Sequence, residues 1–496
     1  MQDRKEHSIG FVKNIKNTLH DWWMSYDRKL WTACIFVYGS LLLLVVSVGV
    51  ILFTHFNLFH TEPTSARYML SALVQSQAAI VAIVISLTLI AVQLTASAYS
   101  PRVIDIFKKN PDMWLLLGCY GVSIFYGFIV LKLVEGAGGE AVSQSVIWSI
   151  GRFSVSFEFY VSLAYWLGVF TFVALFPYML NIIGLLKSGN IIKRLATEIS
   201  KDKILNSEED PIQPIMDIVH GSIMKYDIAT TRVGLKAVTD RVIKIINSDD
   251  EEEISGHFCK HLERVGKLAV SRMDEESTKE VIGQLDFFGE STAEKGLQCA
   301  TAQTAEFLSA IGVTAADKGL VVATWRAVEF LEAVGKAAAD KGLEKATWHV
   351  ALSLGVFGRS TAEKGLVGAT RQIAWTLEAV GRTAAGKRFE SATKKVAISL
   401  GDVGKAAAEK GLESATQRVV ESLVALGRTA ADKRLKDVAR EAAMYLAKLA
   451  ILSEEIVKTA IQDYESRLEE HDRESFQKFM KLYEQELEKL RVKRRT

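Results

Sequence analysis

The sequence predicts an all-α membrane protein. A four-helix transmembrane domain comes first, a cytoplasmic α-solenoid of helical repeats follows, and a coiled-coil-like helix ends the chain. Three observations carry this. Residues 31–53, 69–97, 113–134 and 159–186 are apolar stretches, each longer than the roughly 20 residues needed to cross a bilayer. From Leu262 to Leu446 the chain repeats every 23 residues without a slip, the signature of a solenoid. All six prolines fall at or before Pro214, leaving 282 residues without one, which suits unbroken helix.

Residues 1–29 are polar and charged, so no secretory signal is expected there. Phe11, Ile15, Leu19 and Trp22 share one helical face, the pattern of an amphipathic helix on the inner membrane surface. Residues 30–187 form the four-span domain. Lysine and arginine number 6 in residues 1–29, 1 in 54–68, 3 in 96–112, 1 in 135–158 and 5 in 187–203. That alternation places both termini in the cytoplasm. The four cysteines show no disulfide-like spacing, which fits that compartment.

The second span is longer than a bilayer requires. Its Gln75, Ala79, Ala82, Ser86, Gln93 and Ser97 follow helical spacing. Polar side chains at that depth face protein or water. Gln75, Ser86 and Gln93 are therefore a candidate polar stripe, either a helix-packing seam or the lining of a path. The absence of an ionisable residue favours the seam. Pro101 should stop or bend this helix, and Arg102, Lys108 and Lys109 beyond it are candidate anchors to the inner leaflet. Pro177 should kink the fourth span.

The segment Gln93-Leu-Thr-Ala-Ser-Ala-Tyr-Ser-Pro-Arg-Val-Ile-Asp-Ile-Phe, residues 93–107, precedes an aromatic-rich span. It resembles an uncharacterised family of predicted membrane proteins, a domain of unknown function. The resemblance covers roughly residues 30–200. It implies a four-span membrane core and no established reaction, and it does not extend to the repeats.

Residues 188–255 read as a helical connector with an acidic linker at Ser248 to Glu253. Gly234-Leu235-Lys-Ala-Val-Thr239 echoes the repeat out of phase, which suggests a capping unit. Residues 256–450 hold about eight repeat units. A leucine column runs from Leu262 to Leu446, a glycine column from Gly266 to Gly427, and a threonine column from Thr278 to Thr416. Lys318-Gly319-Leu320 reads as a helix end. Lysine suits the negative dipole terminus, glycine the left-handed turn, and leucine the following contact. Gly335 reads as a second stop, so each unit is expected to be a short helix and a longer one. Arg388 and Arg434 replace the turn glycine, where left-handed backbone costs about 1 kcal/mol, so those turns are expected to differ. With helices 8–10 Å apart, the units should form a body of roughly 70 Å. The array resembles HEAT-like repeats in shortened form, which implies a surface for partners and not catalysis.

The tail, residues 451–496, alternates apolar positions by four and three, with a phase change. That pattern fits a coiled coil with a stutter, and equally an amphipathic helix folded back on the array.

No catalytic constellation is visible. Gly-Lys pairs at 335–336 and 404–405 lack the flanking residues of a phosphate loop, so neither an enzyme nor a cofactor is expected. His257-Phe-Cys259-Lys-His261 is the one metal-like cluster, but Cys259 would point away from the shared histidine face, and no metal is assigned. Positions that vary within the repeats are where such scaffolds recognise partners. They include Trp325, Arg326, Trp348, Arg371, Lys394, Lys395 and Arg418, the candidate partner face. Residues 256–358 hold 11 basic and 14 acidic side chains, net −3, and residues 359–450 hold 17 and 10, net +7. The reading is a membrane-anchored scaffold whose solenoid binds an acidic protein segment, with nucleic acid or anionic lipid as other acidic partners. The alternative is a homo-oligomeric channel or transporter lined by the second span.

Overall fold

A computed structural model describes residues 28–56, 63–98, 104, 110–136, 146–150, 153–206 and 210–495. The amphipathic segment 9–26 and the anchors Arg102, Lys108 and Lys109 lie outside them. The chain divides into two compact units, residues 1–191 and 192–496.

The first unit holds four long helices: α1 (Arg28–Phe56), α2 (Pro63–Ala98), α3 (Pro111–Gly136) and α4 (Phe157–Leu185). Each contains a stretch long and apolar enough to cross a membrane: Trp31–Leu52, Thr64–Ser97, Pro111–Val134 and Phe159–Gly184. With 36 residues, α2 is roughly 54 Å long at 1.5 Å per residue, well beyond a hydrocarbon core. Pro177 lies inside α4. A short antiparallel hairpin, β1 (Val146–Ile150) and β2 (Phe153–Ser156), precedes α4 and is the only strand pair among the described residues. Its β-branched and aromatic residues favour a pleated pair over a helix.

Helix α5 (Ser188–Glu198) runs across the boundary at residue 191, and in the second unit α6 (Lys201–Asn206), α7 (Gln213–Met224) and α8 (Ile228–Ile245) lead to the array. The echo at Gly234-Leu235 is not a repeat turn. Gly234 sits within α8, close against Val219. The left-handed residue is Tyr226, and Asp227 caps α8 by accepting from Thr230 N–H at 3.0 Å.

The repeats are α9 (Glu251–Ser271), α10 (Glu275–Glu294), α11 (Gln298–Asp317), α12 (Val321–Asp340), α13 (Glu344–Glu363), α14 (Val367–Gly386), α15 (Glu390–Glu409), α16 (Glu413–Asp432) and α17 (Lys436–Leu452). Each unit is therefore one helix, 20 residues from α10 to α16, and not a short helix followed by a longer one. Lys-Gly-Leu is the whole connection. At Lys318-Gly319-Leu320, Gly319 has φ +73°, Leu320 N–H reaches Ala315 O at 3.0 Å and Gly319 N–H reaches Ala316 O at 3.1 Å. This is the Schellman pattern, which satisfies carbonyls the helix end leaves open. The column threonines are buried in the next first turn, where each hydroxyl bonds back to the carbonyl four residues earlier, as Thr324 does to Leu320 at 2.8 Å.

The expected difference at the two arginine turns is absent. Arg388 and Arg434 adopt φ 61° and 63° with the same bond pattern, Phe389 N–H to Ala384 O at 2.9 Å and Leu435 N–H to Ala430 O at 2.8 Å. The stacked helices impose the conformation and the arginines carry its cost. Arg388→Gly should therefore raise stability by about 1 kcal/mol, read as an increase in Tm. A fall in Tm would mean the arginine side chain contributes more than its backbone loses.

Each helix packs on the next and on the next but one. The array is thus two layers, with odd and even helices alternating between them. Each layer advances one helix spacing per two repeats, so eight repeats extend roughly 35–40 Å, about half the expected length. The second glycine column makes this packing fit. A Cβ at Gly358, on α13, would lie 2.5 Å from Val403 on α15 and 2.9 Å from Ile373 on α14. These glycines mark three-helix junctions inside helices, not helix ends. The tail is two helices, α18 (Glu454–Ser466) and α19 (Arg473–Arg495), packed on α16 and α17. Phe479 is fully buried against Gly427. Of the two readings of the tail, folding back is the one seen.

Candidate functional site

The partner-face residues separate by layer. Trp325 and Arg326 are on α12, Arg371 on α14 and Arg418 on α16, all in the even layer. Trp348 is on α13, and Lys394 and Lys395 are on α15, in the odd layer. One helix per repeat sends successive variable positions to opposite faces, so a single face recurs every two repeats.

The even layer carries a groove of about 440 Å³ lined by Trp325, Gly368, Arg371, Gln372, Trp375 and Arg418. Trp325 and Trp375 are 41% and 43% exposed. Gly368 lets Trp325 lie close to α14, since a Cβ there would come 3.2 Å from the indole. An adjoining apolar hollow of about 340 Å³ shares Trp325 and adds Val321 and Val367. Those valines start α12 and α14, whereas α10 and α13 begin with glutamates that cap the helix two places on. Glu275 accepts from Val322 N–H at 3.0 Å, and Glu344 from Ser391 N–H at 3.2 Å. The two valines thus remove carboxylates beside the groove.

The cations differ in their duties. Arg371 is exposed and makes no ion pair among the described residues. Lys336 Nζ lies over the Trp375 ring at 5.7 Å while paired with Glu332 at 2.5 Å. Arg418 is committed to structure. It bonds Glu378 at 2.7 Å and Glu421 at 3.2 Å, and both carboxylates are buried. Arg326 pairs with Glu329 on its own helix at 3.1 Å. In the odd layer, Lys395 caps the Trp348 ring at 5.3 Å, and Lys394 reaches Glu441 at 3.5 Å.

Upstream in the even layer, burial, then Glu290 and Glu329, push Asp286 up to about 7. The sign of the consequence follows from linkage. The folded chain holds this proton more tightly than the unfolded one, whose carboxyl titrates near 3.9. Stability is therefore lost as pH rises from about 4 to about 7. Asp286→Asn should raise Tm over wild type at pH 8, by the equivalent of about 1–3 kcal/mol at 1.36 kcal/mol per unit, with the gain shrinking towards pH 4. An equal gain at both pH values would overturn it.

Within the membrane unit, Gln75, Ser86 and Gln93 all face away from the chain's own bundle. Ser86 turns its hydroxyl back to Ala82 O at 2.9 Å. The inward face of α2 runs through Leu70, Val74, Gln77, Val84, Thr88, Ala91 and Thr95. There Gln77 Nε2 donates to Ser123 at 2.8 Å and Thr171 at 3.0 Å, joining three spans. Thr88 bonds Tyr178, and Asn181 bonds Asp112. The sequence reading passed over Gln77. Its signal was available: it shares a helical face with Val84, Thr88, Ala91 and Thr95.

Residues 27–246 match the model of a family described as "Predicted membrane protein (DUF2254)". The resemblance expected over residues 30–200 thus reaches to the end of α8 and stops before the array. No curated protein matches the chain. A solved structure described as a circular tandem repeat protein with novel repeat topology and enhanced subunit contact surfaces is similar at 14% identity and a TM-score of 0.32, over 87% of this chain and 98% of that one. The protein is a membrane protein with four candidate spans and a helical-repeat array.

Proposed function

We propose that this protein is a non-enzymatic, membrane-anchored scaffold whose array binds an acidic protein segment in the cytoplasm. The observation that carries the reading is the even-layer groove. Two half-exposed indoles flank an arginine that nothing else in the described chain engages. Aromatic and arginine side chains of this kind dominate binding energy at protein interfaces, and an acidic segment would bring carboxylates to Arg371 and Lys336. The basic excess of the distal repeats would speed its association.

The test uses low-salt pull-downs with the full chain and its Arg371→Glu/Trp375→Ala variant, neither position being part of the buried core. Recovered partners should be lost with the double variant and weakened by salt, since screening shortens from about 10 Å at 0.1 M to about 3 Å at 1 M. Partners identical for both proteins would refute the groove. The membership of both termini in the cytoplasm has its own check: a reporter after Thr496 should be active inside.

One observation favours a second reading. The Gln75, Ser86 and Gln93 face is turned outward, where a single chain leaves glutamines at bilayer depth. Several copies with α2 at a common axis would shelter it and line a path. Ion flux in reconstituted bilayers, altered by a charged substitution at Ser86, would support this channel reading over the scaffold.

A further inference from the structure

Asp210, His257 and His261 come together away from the groove. Asp210 stands just ahead of α7. His257 and His261 lie one turn apart on α9, so both rings occupy one face, with centroids 5.0 Å apart. His261 Nε2 is 2.6 Å from one oxygen of Asp210, and His257 Nε2 is 3.1 Å from the other. All three donor atoms fall within 4.8 Å of one another.

His261 Nε2 hydrogen-bonds Asp210, and one feature sets His257 apart from it. His257 Nε2 is buried beside the Asp210 oxygen yet makes no hydrogen bond of usable geometry. A ring that turned its Nε2 lone pair to the carboxylate would be repelled unless a proton or a metal cation sat between them. His261 is 4% exposed, which fixes its ring beside Asp210. Asp210 is also pre-oriented, because the same oxygen that faces His257 accepts from Ile212 N–H at 2.9 Å. Cys259, fully buried, is not one of the three.

We propose that Asp210, His257 and His261 form a three-ligand site for a divalent metal of the zinc class. Two imidazole nitrogens and one carboxylate suit zinc, with water in the fourth position. That position opens on the side of His257, whose side chain is 36% exposed. The ion would tie the segment ahead of α7 to α9, the first helix of the array, and so couple metal binding to folding of that junction.

The full chain, purified in detergent and stripped with a chelator, is titrated with Zn²⁺ by calorimetry and with Co²⁺ by visible absorption. One equivalent of Zn²⁺ and the intense bands of tetrahedral Co²⁺ are expected. His257→Ala and Asp210→Asn should each weaken Zn²⁺ at least about tenfold. Circular dichroism shows that each variant keeps its helix content. Cys299→Ser, a control for thiol binding, should change nothing. Wild-type chain that takes up no stoichiometric Zn²⁺ overturns the site. So does uptake that survives both ligand substitutions, or that disappears with Cys299→Ser.

Discussion

Leu354→Ala should destabilise the array by about 2–5 kcal/mol, the cost of removing a fully buried leucine and leaving a cavity. Leu354 lies in the middle of α13 and is fully buried, like every leucine of its column. Its neighbours are one helix in the same layer on each side and two in the opposite layer, so no flexible surface can collapse into the gap. Repeat arrays lose stability locally and pass it to nearest neighbours. Amide exchange should therefore accelerate first in α12 to α14, before global melting by circular dichroism. Arg326→Ala is the control, since its side chain is 51% exposed and a surface change of this kind stays within about 0.5 kcal/mol. Equal losses from both would mean the helices face the wrong way.

The period was legible because every repeat solves the same packing problem with the same residue types. What the columns could not tell was how each glycine is used. Gly319 and Gly335 look alike in sequence. One takes a backbone conformation that L-residues disfavour, and the other leaves room for Val380 and Val350. The second use depends on a helix two repeats away, which no local pattern displays. From that one misassignment came the expected helix pair, the doubled length and the single partner face. Once Gly335 lies inside a helix, each repeat is one helix, and Trp325 and Trp348 must fall on opposite layers.

The membrane unit shows the same limit. Four spans follow from length and hydropathy alone. Which face of α2 turns inward depends on α3 and α4, because Gln77 is buried by Ser123 and Thr171. Gln75 and Gln77 differ by two residues and by roughly 200° around the helix, so the more regular small-and-polar series was the outer one. The Asp210 contribution to the histidine cluster was similarly hidden, being 47 residues from His257 in sequence. His257 and His261 were visible as a pair, and their third neighbour was not.

The sharpest separation between charges that fold the array and charges that bind is expected at Arg418 and Arg371. Both stand at variable positions in the even layer, and both line the groove. Arg418 lies between Glu378 and Glu421, which are only 8% and 9% exposed. Ser422 and Arg382 complete the bonding of Glu378 at 3.0 and 2.8 Å, and Arg467 reaches Glu421 at 3.1 Å. Removing one partner from a buried ion pair costs about 3–5 kcal/mol, because the other charge is left uncompensated. Arg418→Glu goes further and puts a third carboxylate among two, so α14, α16 and α18 should loosen together, with a loss at the upper end of that range. Arg418→Met keeps much of the bulk without adding an anion and should lose less. Arg371→Glu has no such network to break, and an exposed charge contributes about 0–1 kcal/mol to folding. Its Tm should stay near wild type while partner capture falls. Melting curves and pull-downs on the same three variants decide the matter. If Arg418→Glu melts like wild type, the Glu378 network is not holding these helices. If Arg371→Glu is the one that unfolds, the free arginine of the groove is structural and the partner site must be sought elsewhere.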